Sequence, residues 1–151
     1  MVIMEQVNKQ YPAWLKKFID IYDRLSTDNL ELLSDLYHDD IEFRDPLHKI
    51  KGIEALNDYF NGLYQNLNHC QFSIHNVVFD EKQAAVYWAM NYQHPKLNGG
   101  EEILVEGSSF LKGHEDKVYY HRDYLDLGSM LYEHVPFLGA MVRWLKRKAV
   151  K

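Results

Sequence analysis

Trp14, Phe18, Tyr22 and Leu25, with Leu15 and Ile19, recur at the three-and-four spacing of one helical face. Pro12 can open such a helix from its first turn. A shorter second helix is predicted through Leu30, Leu33 and Tyr37. Asp28 and Glu31 stand three apart before it, like a capping box with Asp in place of Ser or Thr. Gly52 precedes a third helix with the apolar stripe Ile53, Leu56, Phe60, Leu63 and Leu67. The period then changes to two. Residues 71–79 hold Phe72, Ile74, Val77 and Phe79 with imperfect alternation. Residues 84–94 alternate better, with Val86, Trp88, Met90 and Tyr92 on one side and Tyr87, Ala89, Asn91 and Gln93 on the other. A turn from Pro95 to Gly100 leads to strands over 102–112 and 117–126, split by Gly113-His114-Glu115-Asp116. Helices first and strands after predict an α+β fold with helices packed on one curved sheet. Phe137, Met141, Trp144 and Leu145 predict a last helix, over about 136–149.

Two acids break the pattern. Ile41, Phe43 and Asp45 share parity on a short extended piece, so Asp45 points inward if the other two do. The competing reading is that Asp45 begins a turn before Pro46, which cannot donate to a ladder. In the last strand, parity separates Tyr119, His121, Asp123 and Leu125 from Tyr120, Arg122, Tyr124 and Asp126. Either set can face in. Burying a charge is costly unless it is paired or used, so an inward acid is a candidate for chemistry.

Composition narrows the class. The chain of 151 residues is long enough for one domain with a sizeable core. Aromatic residues make up 14% and include eleven tyrosines, which suits an aromatic-lined cavity and equally a Tyr-rich core or interface. No apolar run reaches membrane-spanning length. The segment MVIMEQVNKQYP has no basic stretch before an apolar one, so no secretory signal is expected. A single cysteine, Cys70, permits no internal disulfide and fits a cytoplasmic protein. Cys70 reads as a bystander, not a nucleophile. The net charge is −5. The last nine residues hold five bases and no acid, so the rest of the chain carries −10. An acidic body argues against nucleic acid as a partner.

Several motifs lead nowhere. His121-Arg122-Asp123 reads like a kinase catalytic loop, but no Gly-rich loop precedes it and no Asp-Phe-Gly follows. The eight histidines include no pair at i, i+4. No metal site is expected, with a fold-assembled one at Asp45 as the minor alternative. Ser108-Ser109 lacks a nucleophile elbow, and Gly99-Gly100 is a turn, not a phosphate cradle.

Leu36-Tyr37-His38-Asp39-Asp40, followed by Phe43-Arg44-Asp45-Pro46, resembles the segment that carries the general-base Asp of ketosteroid isomerases, and that base falls on Asp45. Lys117-Val118 and His121-Arg122-Asp123-Tyr124-Leu125-Asp126-Leu127 resemble the last strand of limonene epoxide hydrolases, whose catalytic acid falls on Asp123. SnoaL-type polyketide cyclases also use an acid from this part of the sheet. With the order of elements, residues 12–127 resemble the NTF2-like superfamily in its SnoaL-like and ketosteroid-isomerase-like branch. The resemblance implies a cone: a strongly bent antiparallel sheet closed by helices around a hydrophobic pocket.

It also implies that His121, Asp123 and Leu125 face inward. Trp88, Met90 and Tyr92 should line the opposite wall, with Ser108 and Phe110 from the next strand and Tyr22 from the first helix. Asp45 is then the expected general base, with Asp123 and His121 as acid partner and orienter. A neighbouring His can share or relay a proton. The departures are equally specific. The oxyanion acid of a ketosteroid isomerase aligns near Ser108, and its helix tyrosine falls on Ile21, one residue short of Tyr22. The Arg-x-Asp pair of an epoxide hydrolase falls on Met90-Asn91-Tyr92. Neither constellation is present.

What is expected is a small-molecule pocket protein without a cofactor. It catalyses isomerisation, cyclisation or dehydration of a small apolar molecule by proton transfer, or binds such a ligand without catalysis, or serves as a dimerisation module. A homodimer through the sheet's outer face is expected from the mixed outer set Tyr87, Ala89, Asn91 and Gln93. The basic tail is expected to dock on its own domain or across the dimer and to narrow the pocket mouth. Contact with an anionic membrane is the less favoured reading.

Overall fold

The helix α1 (Ala13–Arg24) buries one face, with Trp14, Leu15, Phe18, Ile21 and Tyr22 all inside. Pro12 stands at its N-cap, where a missing N–H costs little. In the computed structural model, which describes residues 10–150, the Trp14 amide donates to the Glu115 carbonyl at 3.1 Å. This ties the helix start to the last hairpin. Residues 1–9, where the sequence was read for a secretory signal, lie outside the described residues.

The second helix is shorter than its pattern predicts. α2 (Leu32–Leu36) has Glu31 at its N-cap without a side-chain cap bond, so the expected Asp28–Glu31 box does not form. Asn29 organises the turn instead, its Oδ1 accepting from the Ser26 amide at 2.7 Å and the Ser26 hydroxyl at 3.2 Å. Tyr37, expected on this helix, opens the strand β1 (Tyr37–Arg44). The short β2 (Lys49–Lys51) and α3 (Ile53–Tyr64) follow, with Leu67 beyond the helix end.

Next come β3 (His69–Phe79), β4 (Gln83–Gln93), β5 (Ile103–His114) and β6 (Lys117–Leu125). Among the described residues the strands form one curved six-stranded sheet in the order β2-β1-β6-β5-β4-β3. The last four strands are an antiparallel meander. β1 pairs with β6 in parallel, so the sheet is not wholly antiparallel. The chain between them is long enough for such a crossover. The imperfect alternation of β3 comes from a bulge between Ile74 and Asn76. A register shift also falls where Gly113 meets Val118. Val118 and His121 are therefore both buried, while Tyr119 faces water.

The helices cover the inner face. The core runs from Trp14, Phe18 and Tyr22 through Tyr37, Ile41 and Phe43 to Val86, Trp88, Val105 and Leu111. No helix among the described residues is long and apolar enough to cross a membrane.

After β6, Asp126 caps α4 (Leu127–Met130), accepting from the Gly128 and Ser129 amides at 2.9 and 3.3 Å. α5 (Leu138–Lys148) is held from that segment by polar contacts. Lys146 Nζ lies 2.5 Å from Asp126 Oδ2 and 3.4 Å from Glu133 Oε2, and Arg143 donates to the Glu133 carbonyl at 2.6 Å. Buried Gly139 lies against that carbonyl, where a Cβ would collide. Phe137, Met141, Trp144 and Leu145 do not dock on their own domain, the first of the two expectations, because all four are exposed in the single chain; docking across a dimer is untouched by this. The anchor is polar, and it turns the apolar stripe outward.

The Lys146 ammonium holds the Asp126 carboxyl below the usual carboxylate range, and Asp126 raises Lys146 in turn. A depressed acid contributes stability above its unfolded pKa of about 4 and loses it as pH falls through the lower folded value. Hydrogen-exchange protection of the α5 amides should therefore fall on acidification below about pH 4. Asp126→Asn should show the weakened protection already at neutral pH. Equal protection in variant and parent would mean that this pair does not hold the helix.

Candidate functional site

Asp45 follows the last residue of β1, after buried Phe43. Its Oδ1 accepts from the amides of Leu47 and His48 at 2.8 and 2.7 Å, which closes the turn at Pro46. Its Oδ2 accepts from the Tyr59 hydroxyl of α3. His48 Nδ1 lies 3.1 Å from the same hydroxyl. Burial first, and the Asp45 bond second, push the Tyr59 hydroxyl well above its usual range, so it stays protonated. The inward reading of Asp45 and the turn reading are compatible in one residue.

Asp123 is built differently. Its register partner on β5 is Ser109, whose hydroxyl donates to Asp123 Oδ1 at 2.5 Å. His121 Nε2 donates to the same oxygen at 2.6 Å. His121 Nδ1 is 2.7 Å from the Tyr37 hydroxyl, which is 2.6 Å from the Tyr22 hydroxyl. Burial holds both tyrosines protonated, far above their usual range. With the proton on His121 Nε2, every donor finds an acceptor: Tyr22 to Tyr37, Tyr37 to His121, His121 to Asp123. On the other side, Trp88 Nε1 donates to Ser109 Oγ at 2.9 Å. Trp88 packs against Gly107, where a Cβ would come within 2.5 Å of the indole. The chain of donors ends on Oδ1. The other oxygen of Asp123 takes no hydrogen bond among the described residues, and the side chain keeps 19% of its exposure, against 1% for His121.

That carboxylate lines a cavity of about 350 Å³, near the small end of the usual range for ligand sites. Trp88, Met90 and Tyr92 form one wall and Phe60, Leu63 and Tyr64 of α3 another. Asp45, Tyr59, Leu125 and Cys70 complete much of the lining. Burial pushes the Cys70 thiol up to about 11, so it presents a neutral thiol. Leu127, Met130 and Leu131 also line it, and the Tyr92 hydroxyl donates to the Met130 carbonyl.

The structure thus brings Asp45, Asp123, Trp88, Met90, Tyr92 and Leu125 to one cavity. His121 stands behind Asp123 and not in the wall. Tyr22 is buried in the core and reaches Asp123 only through Tyr37 and His121. Ser108 and Phe110 are corrections. The inner face of β5 carries Ile103, Val105, Ser109 and Leu111, so Ser108 and Phe110 lie on the outer face, where Phe110 packs on Tyr120. α5 contributes no lining residue, so the expected narrowing of the pocket by the tail helix is not seen; the segment 127–131 lines the cavity instead.

Sequence reasoning missed Ser109, Tyr37 and Tyr59. Each had a signal. Ser109 shares parity with Val105 and Leu111, and Tyr37 with Ile41 and Phe43. Tyr59 stands three residues from Leu56 and four from Leu63 on the apolar stripe. No group of three His, Cys, Asp or Glu among the described residues is placed to hold a metal ion.

The profile of the SnoaL-like domain matches residues 18–121, which span every element from α1 into β6. The chain belongs to the SnoaL-like family. Solved structures share the NTF2-like fold at low identity. A candidate SnoaL-like polyketide cyclase from Jannaschia sp. CCS1 is 11% identical, with a TM-score of 0.70 over 82% of this chain and 92% of that one. A protein of ketosteroid isomerase-like fold from Catenulispora acidiphila, in complex with trimethylamine, is 13% identical, with a TM-score of 0.70 over 84% and 96%. AclR, a candidate hydroxylase from Streptomyces galilaeus, is 14% identical, with a TM-score of 0.62 over 79% and 80%. At these identities the likeness speaks for the fold alone. A search of curated proteins finds no match.

Ser109 is buried and is the one hydroxyl shared by Trp88 and Asp123. Ser109→Ala leaves a buried indole N–H without an acceptor and removes a donor from the carboxylate. It should cost about 1–3 kcal/mol of stability, measured by urea denaturation. Ser108→Ala should cost less than about 0.5 kcal/mol.

Proposed function

We propose that this SnoaL-like domain catalyses proton transfer on a small, mostly apolar carbonyl compound, of the isomerisation, cyclisation or dehydration type. One observation carries the reading: a carboxylate that lines an apolar cavity, with one oxygen held by two donors and the other without a hydrogen bond among the described residues. The fixed oxygen holds the group in place, and the open one is available to a substrate.

In this scheme Asp123 is the base. A C–H bond beside the substrate carbonyl breaks, and its proton passes to the open oxygen of Asp123. The electron pair delocalises into the carbonyl, and the same carboxyl returns the proton to a neighbouring atom. His121 orients Asp123 and stabilises its charge. Asp45, given the base's role by resemblance, is engaged at both oxygens and fits better as the group that fixes the Tyr59 hydroxyl at the wall. Trp88, Met90, Tyr92 and Leu125 supply the apolar contact that selects the substrate.

The test uses 2-tetralone, a bicyclic ketone, in D2O. Parent protein should accelerate deuterium uptake next to the carbonyl, read by mass spectrometry. Asp123→Asn should lower that rate by about 10²–10⁴-fold while still displacing a fluorescent apolar dye. Asp45→Asn should lower it less. Equal rates with and without protein, for this ketone and a panel of others, would leave the binding-only reading in place. That second reading has its own support, since Asp45 already satisfies a turn and needs no substrate.

The outer face of the sheet fits a second copy of the chain. Tyr87 and Tyr124 are exposed there on either side of Ser108, and Leu104 is exposed opposite Asn91. Sedimentation at micromolar concentration should give twice the chain mass, and Tyr87→Glu should give one. A parent that sediments as a monomer would rule the dimer out.

A further inference from the structure

The helix α5 has two sides with opposite jobs. Gly139, Val142 and Lys146 lie on the side toward the domain, where Gly139 is buried and Lys146 bridges Asp126 and Glu133. Met141, Trp144 and Leu145 fall on the other side, one turn on from Phe137. These four are 53%, 52%, 53% and, for Phe137, 93% exposed. A helix that used its apolar stripe to close a core would be turned the other way.

The charge around the stripe is of one sign. Glu133 is the last acid of the chain, and residues 134–151 hold five Lys and Arg. Two of these, Arg143 and Lys146, are bound to Glu133 and Asp126. Arg147 and Lys148 border the exposed stripe, with the Lys148 ammonium 5.8 Å from the Trp144 ring. We propose that α5 lies on an anionic membrane surface, its Phe137, Met141, Trp144 and Leu145 entering the interface and Arg147 and Lys148 meeting lipid phosphates.

Three features support a lipid surface over a second copy of this chain. Trp and Phe with flanking bases suit the boundary between headgroups and acyl chains. Anionic headgroups complement the bases without bringing the two acidic bodies together. The stripe is four side chains on one short helix, far fewer than the roughly 20–30 residues a side of a stable protein interface.

Trp144 reports on this directly. The chain has three tryptophans, and Trp14 and Trp88 are 1% and 4% exposed. The chain of 151 residues is mixed with vesicles of phosphatidylcholine alone, or with about 30 mol% phosphatidylserine. With the anionic vesicles, Trp144 emission should move to the blue and the protein should sediment with the lipid. Partitioning should be about tenfold or more above that on neutral vesicles, and it should fall steeply with salt. Leu145→Glu should abolish binding and Arg147→Gln with Lys148→Gln should weaken it. Neither change touches the core, so circular dichroism and the melting temperature should hold. No lipid-dependent shift in parent protein would overturn the proposal. An oligomer that Leu145→Glu dissolves would also overturn it, and would assign the stripe to a second copy.

Discussion

A carboxylate at the wall of an apolar cavity must find donors, and much of this fold is arranged around the donors of Asp123. Two groups donate to Asp123 directly, Ser109 and His121, and the network behind them draws on five elements. Tyr22 is on α1, Tyr37 on β1, His121 on β6 beside Asp123 itself, Ser109 on β5 and Trp88 on β4. A slip of one residue in any of these strands would turn its donor to the outer face. The network therefore adds polar specificity to a register that the apolar core already favours. His121 shows the constraint most plainly, because a buried imidazole needs a partner at each nitrogen and has one.

The two acids show why one sequence pattern can carry two meanings. Asp45 sits at a strand end, where backbone amides are free and a carboxylate can take them. Asp123 sits within a strand, where the backbone is already paired, so its donors must be side chains. The first arrangement leaves no oxygen idle, and the second leaves one. Shared parity with apolar neighbours identifies both as inward candidates, but it does not count the donors around them.

Three long helical stripes and four strand segments were legible from period alone, as was the α+β order. The parallel contact of β1 with β6 was not, because period reports which face is buried and not which strand lies alongside. The bulge in β3 was visible only as blurred alternation, and the shift at the β5–β6 contact left no such sign. The Ser108 and Phe110 assignments followed a distant resemblance across one residue of uncertain register. The residues' own parity, through Val105 and Leu111, points to Ser109. Local pattern was the stronger guide there, since a strand reverses face at every step.

The tail helix marks the other boundary of pattern reasoning. Its amphipathic spacing identifies an apolar stripe without saying what covers it. What decides the orientation is a few polar contacts: Lys146 on Asp126 and Glu133, Arg143 on a carbonyl, and a glycine that lets the helix come close. These partners lie 10 to 20 residues away in sequence and carry no periodic signal. Exposed ion pairs of this kind are individually weak. They suffice here because the alternative, rolling the helix over, would bury four apolar side chains against Asp126 and Glu133. The acids that attract the helix's basic side are the same groups that exclude its apolar one.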